Sequence, residues 1–268
     1  MKGERLQESL IRAALGERPV SVRVLDLTDS TNNEAKRHAQ AGGRAPIAFF
    51  AEEQSAGRGR MGRSFYSPPH TGLYLSLLLP IEGGFADTVG VTTAAAVAVL
   101  RAIRSVTGIT VGIKWVNDLY DNSRKVCGIL AESFAVGAQR YAVIGVGVNL
   151  YTEDFPSELH GIAGGLLPTQ KNLRNALAAA ILAELYDSCR SADRTALMAE
   201  YRAHSLVLGR AVVYTENQVE HRGVVEAIDD GGRLLVRLSD GALAVLASGE
   251  ISLRADTEIR AEQKEERA

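Results

Sequence analysis

Residues 57–64 read GRGRMGRS and run directly into FYSPPHTGLYLSLLL, residues 65–79. Gly57, Gly59 and Gly62 satisfy the G-x-G-x-x-G spacing of dinucleotide-binding folds. The same octapeptide satisfies the G-x-x-x-x-G-K-S phosphate loop except that Arg63 stands in place of lysine. In both motifs the loop opens a helix, because the N–H groups of the first turn hold the phosphate. Pro68 and Pro69 exclude a helix interior here, and the Leu-rich run that follows has the length and boundaries of a strand. The doubly wound and phosphate-loop folds are therefore excluded. What remains is a flexible loop between two strands, 45–52 and 72–79, carrying Arg58, Arg60 and Arg63. Glycine permits positive φ and removes obstruction, so such a loop can close over a ligand. Guanidinium groups then offer paired donors to phosphate or carboxylate oxygens. A solvated basic turn is the plainer reading of the same residues.

Working outward, residues 4–15 have helical apolar spacing, and 20–27 is a β-branched strand. A short helix follows DSTN (29–32), with Thr31 and Glu34 at capping-box spacing and Gly42-Gly43 as its stop. Residues 87–107 form a long helix, apolar on most sides and closed by Gly108. Strands at 109–115, 125–133 and 140–149 are joined by the hairpin turns DNSR and AVGAQ. An irregular stretch, 154–170, precedes helices at 172–190 and 193–204. At Gly209 the pattern changes to short β runs at 211–215, 222–228, 233–238 and 242–247, the spacing of a small five-stranded barrel. The layout is α+β, with a larger domain over 1–206, a small β domain over 207–256 and a charged tail over 257–268.

The 268 residues are 46 % hydrophobic and 23 % charged, which excludes a largely disordered chain. Lys and Arg number 30 against 32 Asp and Glu, so no basic excess suggests binding to nucleic acid by charge alone. Two cysteines, Cys127 and Cys189, make no disulfide framework, and the histidines form no H-x-x-x-H pair, so no protein-bound metal is expected. MKGERLQESL lacks the apolar core of a signal peptide, and no apolar run reaches the ~18 residues of a membrane span. The expected compartment is the cytoplasm, with no membrane partner.

DSTN (29–32), the 57–63 loop, KWVND (114–118), KVCGIL (125–130), GVGVN (145–149) and GEISLR (249–254) occur in an order and spacing that resemble the biotin–protein ligase family, also called biotin–[acetyl-CoA-carboxylase] ligase. The likeness runs from Asp26 to Arg254. It implies a catalytic domain related to class II aminoacyl-tRNA synthetases, a mixed sheet flanked by helices, followed by an SH3-like barrel. It also implies a reaction in which biotin and ATP, with Mg2+, give biotinyl-5′-AMP, which then biotinylates one lysine of a biotin carboxyl carrier protein.

By the same resemblance, Lys114 and Arg60 are the catalytic candidates. The first step sets a carboxylate against a polyphosphate, and two unit charges ~4 Å apart repel by about 1 kcal/mol in water and about 4 kcal/mol at a dielectric near 20. Fixed cations answer that repulsion, and no protein nucleophile is needed. Ser30, Thr31, Asn32 and Gln54 are expected at the ureido ring, whose neutral donors and acceptors call for amides and hydroxyls. Gly57, Arg58, Gly59 and Arg60 would cover biotin, with Lys114 at its carboxylate. Gly128, Gly145 and Gly147, glycines inside apparent strands, would form the wall on which it lies. Arg58, Arg60, Arg63, Lys114, Asn117, Asn149 and Arg254 are expected at ATP, with Asp118 a weaker candidate there. Capping explains Ser30 and Thr31 equally well, and a hairpin turn explains Asn117 and Asp118.

Three departures stand out. Val116 replaces the usual proline of KWPND, Phe65 stands where tryptophan commonly covers biotin, and IAGGL (162–166) replaces an ATSL-like segment. About twenty-five residues precede Asp26, too few for a helix-turn-helix module, so a monofunctional ligase without DNA binding is expected. A sheet edge near 140–149 would allow a homodimer. The rival readings are a lipoate–protein ligase, which would leave the Ser–Thr–Asn and Gln set unmotivated, and a catalytically silent biotin-sensing module.

Overall fold

The structure is a computed structural model that describes residues 3–81, 88–191, 193–216, 218–247, 249 and 251–253. Ser21–Thr28 (β1) runs parallel to Ile47–Gln54 (β2), which is antiparallel to Leu73–Pro80 (β3), so the glycine–arginine loop does connect two strands. Gly112–Lys114 (β4), Asp118–Asp121 (β5), Arg124–Val136 (β6) and Gln139–Val148 (β7) complete a mixed sheet of order β1-β2-β3-β7-β6-β5-β4. The short β5 lies within the expected 116–124 hairpin turn, and Asn122, at φ 53, makes the tight turn into β6.

Strand residues alternate between two faces. On one face Ala48, Phe50, Leu75, Leu77, Ile144, Val146, Cys127 and Ile129 join the main core. The helix Thr88–Thr107 (α3) packs on this side with Arg174–Arg190 (α4) and Arg194–Ala203 (α5), as does Glu8–Ala14 (α1) near the N-terminus. The helix Thr31–Gln40 (α2) takes the opposite face, where Ala35 and Ala39 meet Ile47, Phe49, Leu78 and Val143. Beyond that small cluster the α2 face carries Ser76, Gly145, Gly147 and Gly128. Small residues leave an opening there.

Three expectations are corrected. Residues 140–149 are no sheet edge: β7 lies between β3 and β6, its backbone groups already paired on both sides, so it cannot add a second copy across a two-fold. The first helix begins only at Glu8, because the N–H groups of Leu6 and Gln7 are given to Glu52 and Asn175. Finally, α3 is long and apolar enough to cross a membrane by length and composition, but most of it is buried inside the protein as a core helix.

Downstream, Ala211–Glu216 (β8), Val219–Ile228 (β9), Leu234–Leu238 (β10), Leu243–Leu246 (β11) and Ile251–Leu253 (β12) form an antiparallel SH3-like sheet of order β11-β10-β9-β8-β12. Its apolar residues Val212, Tyr214, Val225, Ile228, Leu234 and Val236 belong to the same core cluster as α3.

Candidate active site

A cleft opens on the α2 face, walled by β6 and β7 and roofed by the glycine–arginine loop. It is lined by Ser30, Thr31, Asn32, Gln54, Arg58, Gly59, Arg60, Arg63, Lys114, Asn117, Gly128, Gly145 and Gly147 among the residues expected from the sequence. Segments far apart in the chain therefore converge on one space.

One end is neutral and closely hydrogen-bonded. Gln54 Oε1 accepts from the Thr31 N–H (2.9 Å) and hydroxyl (3.2 Å), while Gln54 Nε2 donates to Ser67 Oγ (2.8 Å). Buried Ser76 places its Oγ 2.7 Å from Thr31 Oγ1 and 2.5 Å from Asn32 Oδ1. Asn32 Nδ2 in turn donates to Glu132 (2.9 Å). The expected capping box is absent: Ser30 is the N-cap and makes no side-chain cap bond, and Thr31 spends its hydroxyl on this network. Ser76 and Glu132 carried no recognisable motif. Only the register that sets Ser76 opposite Gly145 brings it here.

The glycine wall is real but partly covered. A Cβ added at Gly145 would run into Asn32 Oδ1, and one at Gly147 would come within 2.5 Å of the Phe65 ring. Gly128, the cross-strand partner of Gly147, would meet Phe65 and the Lys125 ammonium at 3.2–3.3 Å. Phe65 thus lies over the Gly128–Gly147 pair, with its ring edge-on to Tyr74 (centroids 6.4 Å apart).

The other end is cationic. Lys114 and Lys125 line it with Arg60 and Arg63. Lys114 Nζ stands 5.7 Å from the centre of the Tyr120 ring, and Lys125 Nζ lies 2.7 Å from Asp118 Oδ1. Lys125 opens the KVCGIL segment with no motif of its own to mark it, and the β5–β6 pairing delivers it. Arg60 donates to Asn117 Oδ1 (2.8 Å) and to the Gly249 carbonyl (3.2 Å), which ties the loop both to KWVND and to the C-terminal sheet. Asn117 holds itself to β6 through Ile129 O (3.0 Å). Tyr201 donates to the Val116 carbonyl and Trp115 Nε1 to that of Gly232; the Trp115–Val116 peptide is cis.

Charges around the neutral end are fixed by their partners. Arg37, aided by Asn33, holds the Asp29 carboxyl well below the usual range. Burial alone would raise Glu132, but Lys36, Asn32 and Arg58 outweigh it and keep its pKa low. Burial pushes both thiols up, Cys189 to about 12, which makes them packing groups.

Two expected residues fall elsewhere. Gly57 does not line the cleft: its carbonyl accepts from Phe65 N (2.8 Å), and a Cβ there would strike the Phe65 carbonyl, so it closes the loop's base. Asn149 is buried just past the end of β7, its backbone engaged with Val126 and Leu166, and is not among the residues lining the cleft. Arg254 lies outside the described residues. Segment 162–166 pairs with Lys125 at the start of β6 and does not line the cleft.

An amide-and-hydroxyl pocket opening into a cluster of cations, built on a mixed sheet, suits a ligase that activates a small carboxylic acid with a nucleoside triphosphate. Residues 24–149 match the Biotin/lipoate A/B protein ligase family, and residues 207–254 match the Biotin protein ligase C terminal domain. The biotin–[acetyl-CoA-carboxylase] ligase of Mycobacterium tuberculosis is 32 % identical over 260 residues, 93 % of this chain and 94 % of that protein. The bifunctional ligase/repressor BirA of Escherichia coli is 32 % identical over 243 residues, 87 % of this chain and 74 % of that one. The Aquifex aeolicus biotin protein ligase solved with biotin and ATP superposes with a TM-score of 0.75 at 24 % identity, covering 88 % of this chain and 99 % of that one. The chain belongs to the biotin protein ligase family.

Proposed function

We propose that the chain activates biotin with ATP and passes the biotinyl group to one lysine of a biotin carboxyl carrier protein. The observation that carries this reading is a single cleft with a neutral end (Thr31, Asn32, Gln54) that suits a ureido ring and a cationic end (Lys114, Lys125, Arg60, Arg63) that suits a carboxylate facing phosphates. In the first step a biotin carboxylate oxygen attacks the α-phosphorus of ATP, and the bond to pyrophosphate breaks. In the second the neutral amine of the carrier lysine attacks the acyl carbon; AMP leaves and the amine proton passes to solvent.

The protein's part is positioning and charge. Lys125, beside the Gly128 wall, and Lys114 draw the carboxylate and phosphoryl oxygens together in spite of their repulsion. Arg60 and Arg63 cover the phosphates from the loop, whose closure keeps water from the mixed anhydride. Mg2+ bound with the nucleotide would supply further charge neutralisation on the phosphates. Among the described residues no cluster of three acidic, His or Cys groups forms a cage, and Asp118 is the carboxylate lining the cleft. That donor set fits an ion carried in by ATP and touched by one carboxylate at most.

ATP–pyrophosphate exchange tests the reading. Exchange should depend on biotin and not on lipoate or octanoate, and Lys114→Ala or Lys125→Met should each lower it about 100-fold, the scale of losing one transition-state donor. Exchange driven by lipoate alone would move the chain to lipoate chemistry, and no exchange with any acid would leave a binding module.

A further inference from the structure

Glu132 lies on β6 facing the α2 side, beyond Gly128 and Leu130, and does not itself line the cleft. Its two oxygens accept from Lys36 Nζ (2.8 Å), Asn32 Nδ2 (2.9 Å) and both terminal nitrogens of Arg58 (3.0 and 3.1 Å). A carboxylate has about four acceptor directions, and all are used here. Two of these partners are cleft residues. The bond to Asn32 fixes which way its amide points: Nδ2 toward Glu132 and the Leu130 carbonyl, Oδ1 toward Ser76. The pair with Arg58, reinforced by Asn33 Oδ1 at 3.1 Å, holds one side of the glycine–arginine loop against the start of α2. The other side is held separately by Arg60 on Asn117 and Gly249. The loop therefore has two tethers, one at the neutral end of the cleft and one at the cationic end.

We propose that Glu132 is a positioning residue that orients the Asn32 amide for the ligand and latches the loop over the neutral end of the cleft through Arg58. The latch suits a cover that must open. Arg58 is 38 % exposed and Glu132 21 %, so their pair is solvent-screened and reversible, where a fully buried pair would be fixed. Coupling the two tasks in one carboxylate means that the loop closes most firmly when Asn32 is correctly turned. The identity of the ligand rests on the biotin reading; the latch does not.

The full chain carrying Glu132→Gln tests this, with Lys36→Met as the control that strips one partner from the same carboxylate but spares Asn32 and Arg58. Glutamine keeps the shape but has one acceptor oxygen for three donor groups. Without ligand, trypsin should cut the loop after Arg60 and Arg63 about tenfold faster in Glu132→Gln, because local opening governs cleavage. Biotin affinity measured by calorimetry without ATP should fall about tenfold through the freed Asn32 amide. Lys36→Met should match wild type in both. Arg58→Met reads the latch from its other partner, with the same accelerated cleavage, should Glu132→Gln fold poorly. A loop cut at the wild-type rate in both Glu132→Gln and Arg58→Met overturns the latch, and unchanged biotin affinity in Glu132→Gln overturns the orienting role. Wild type that binds no biotin would instead overturn the proposed substrate, so the two readings fail separately.

Discussion

Gly145 sits opposite Ser76 in the centre of the sheet, with Asn32 packed directly above it. The position needs glycine because the space of a Cβ is already taken by the Asn32 amide, and no unusual backbone angle is involved. Gly145→Ala should therefore push Asn32 off Ser76 and leave buried polar atoms poorly paired, a loss of about 1–3 kcal/mol of folding stability. The urea midpoint should fall accordingly, and biotin affinity should fall roughly tenfold or more because the displaced Asn32 amide no longer faces the ligand. Calorimetry and urea unfolding on the same sample check this; undiminished affinity would show that Asn32 has room to spare. At this scale much was readable from the sequence. Thr31, Asn32, Gln54, Arg60 and Lys114 announce themselves through motifs and through residue types that suit the ligand. Ser76 and Glu132 do not, because a serine in an apolar strand and a glutamate near a strand end gain meaning only from the register that sets them beside Asn32.

The N-terminal segment shows what periodicity misses at the level of elements. Residues 4–15 carry helical spacing, yet the chain stays extended to Gln7 and is strapped down by a buried ion pair. Glu52 on β2 (side chain 3 % exposed) meets Arg174 at the start of α4 (0 % exposed) at 2.7 Å. Glu52 also accepts from the Leu6 N–H and from His70, and Arg174 donates to the carbonyls of Gly72 and Glu4. One pair thus joins β2, the approach to β3, α4 and the N-terminal segment. Two charges withdrawn from water this completely depend on each other: removing one strands the other, at about 3–5 kcal/mol. Glu52→Leu or Arg174→Met alone should lower unfolding stability by that amount, and the double variant should recover much of it. Urea unfolding of the three variants decides, and single losses under about 1 kcal/mol would mean that the backbone bonds alone hold the strap. The sequence offered no hint of this pair, because its partners are 122 residues apart and neither lies in a motif.

For the molecule as a whole, the change of pattern at Gly209 made a two-part layout legible, but what binds the parts together was not. Three of the ties end on backbone carbonyls, Trp115 Nε1 on Gly232 (2.8 Å), Arg202 Nε on Ile228 (2.6 Å) and Arg60 on Gly249 (3.2 Å), beside an ion pair of Arg202 with Asp230. A carbonyl acceptor can be supplied by any residue type, so sequence carries no trace of it. Beneath these bonds one apolar cluster runs from α3 and the seven-stranded sheet into β8, β9 and β10. Gly249 and Ile251 also line the cleft, so the C-terminal sheet completes a wall that the catalytic sheet lacks. A continuous core and a shared cleft favour one cooperative unit over two independent ones. The chain's single tryptophan, Trp115, stands at the junction and reports on it directly. Its fluorescence and the far-UV circular dichroism should change together in urea. Trp115→Phe, which deletes the bond to Gly232, should lower stability by about 1 kcal/mol while leaving a single transition by circular dichroism. Fluorescence that changes ahead of the dichroism would mean that the C-terminal sheet detaches first. The wall at Gly249 and Ile251 would then come and go without the rest of the cleft, and Arg60 would lose one of its two anchors each time it left.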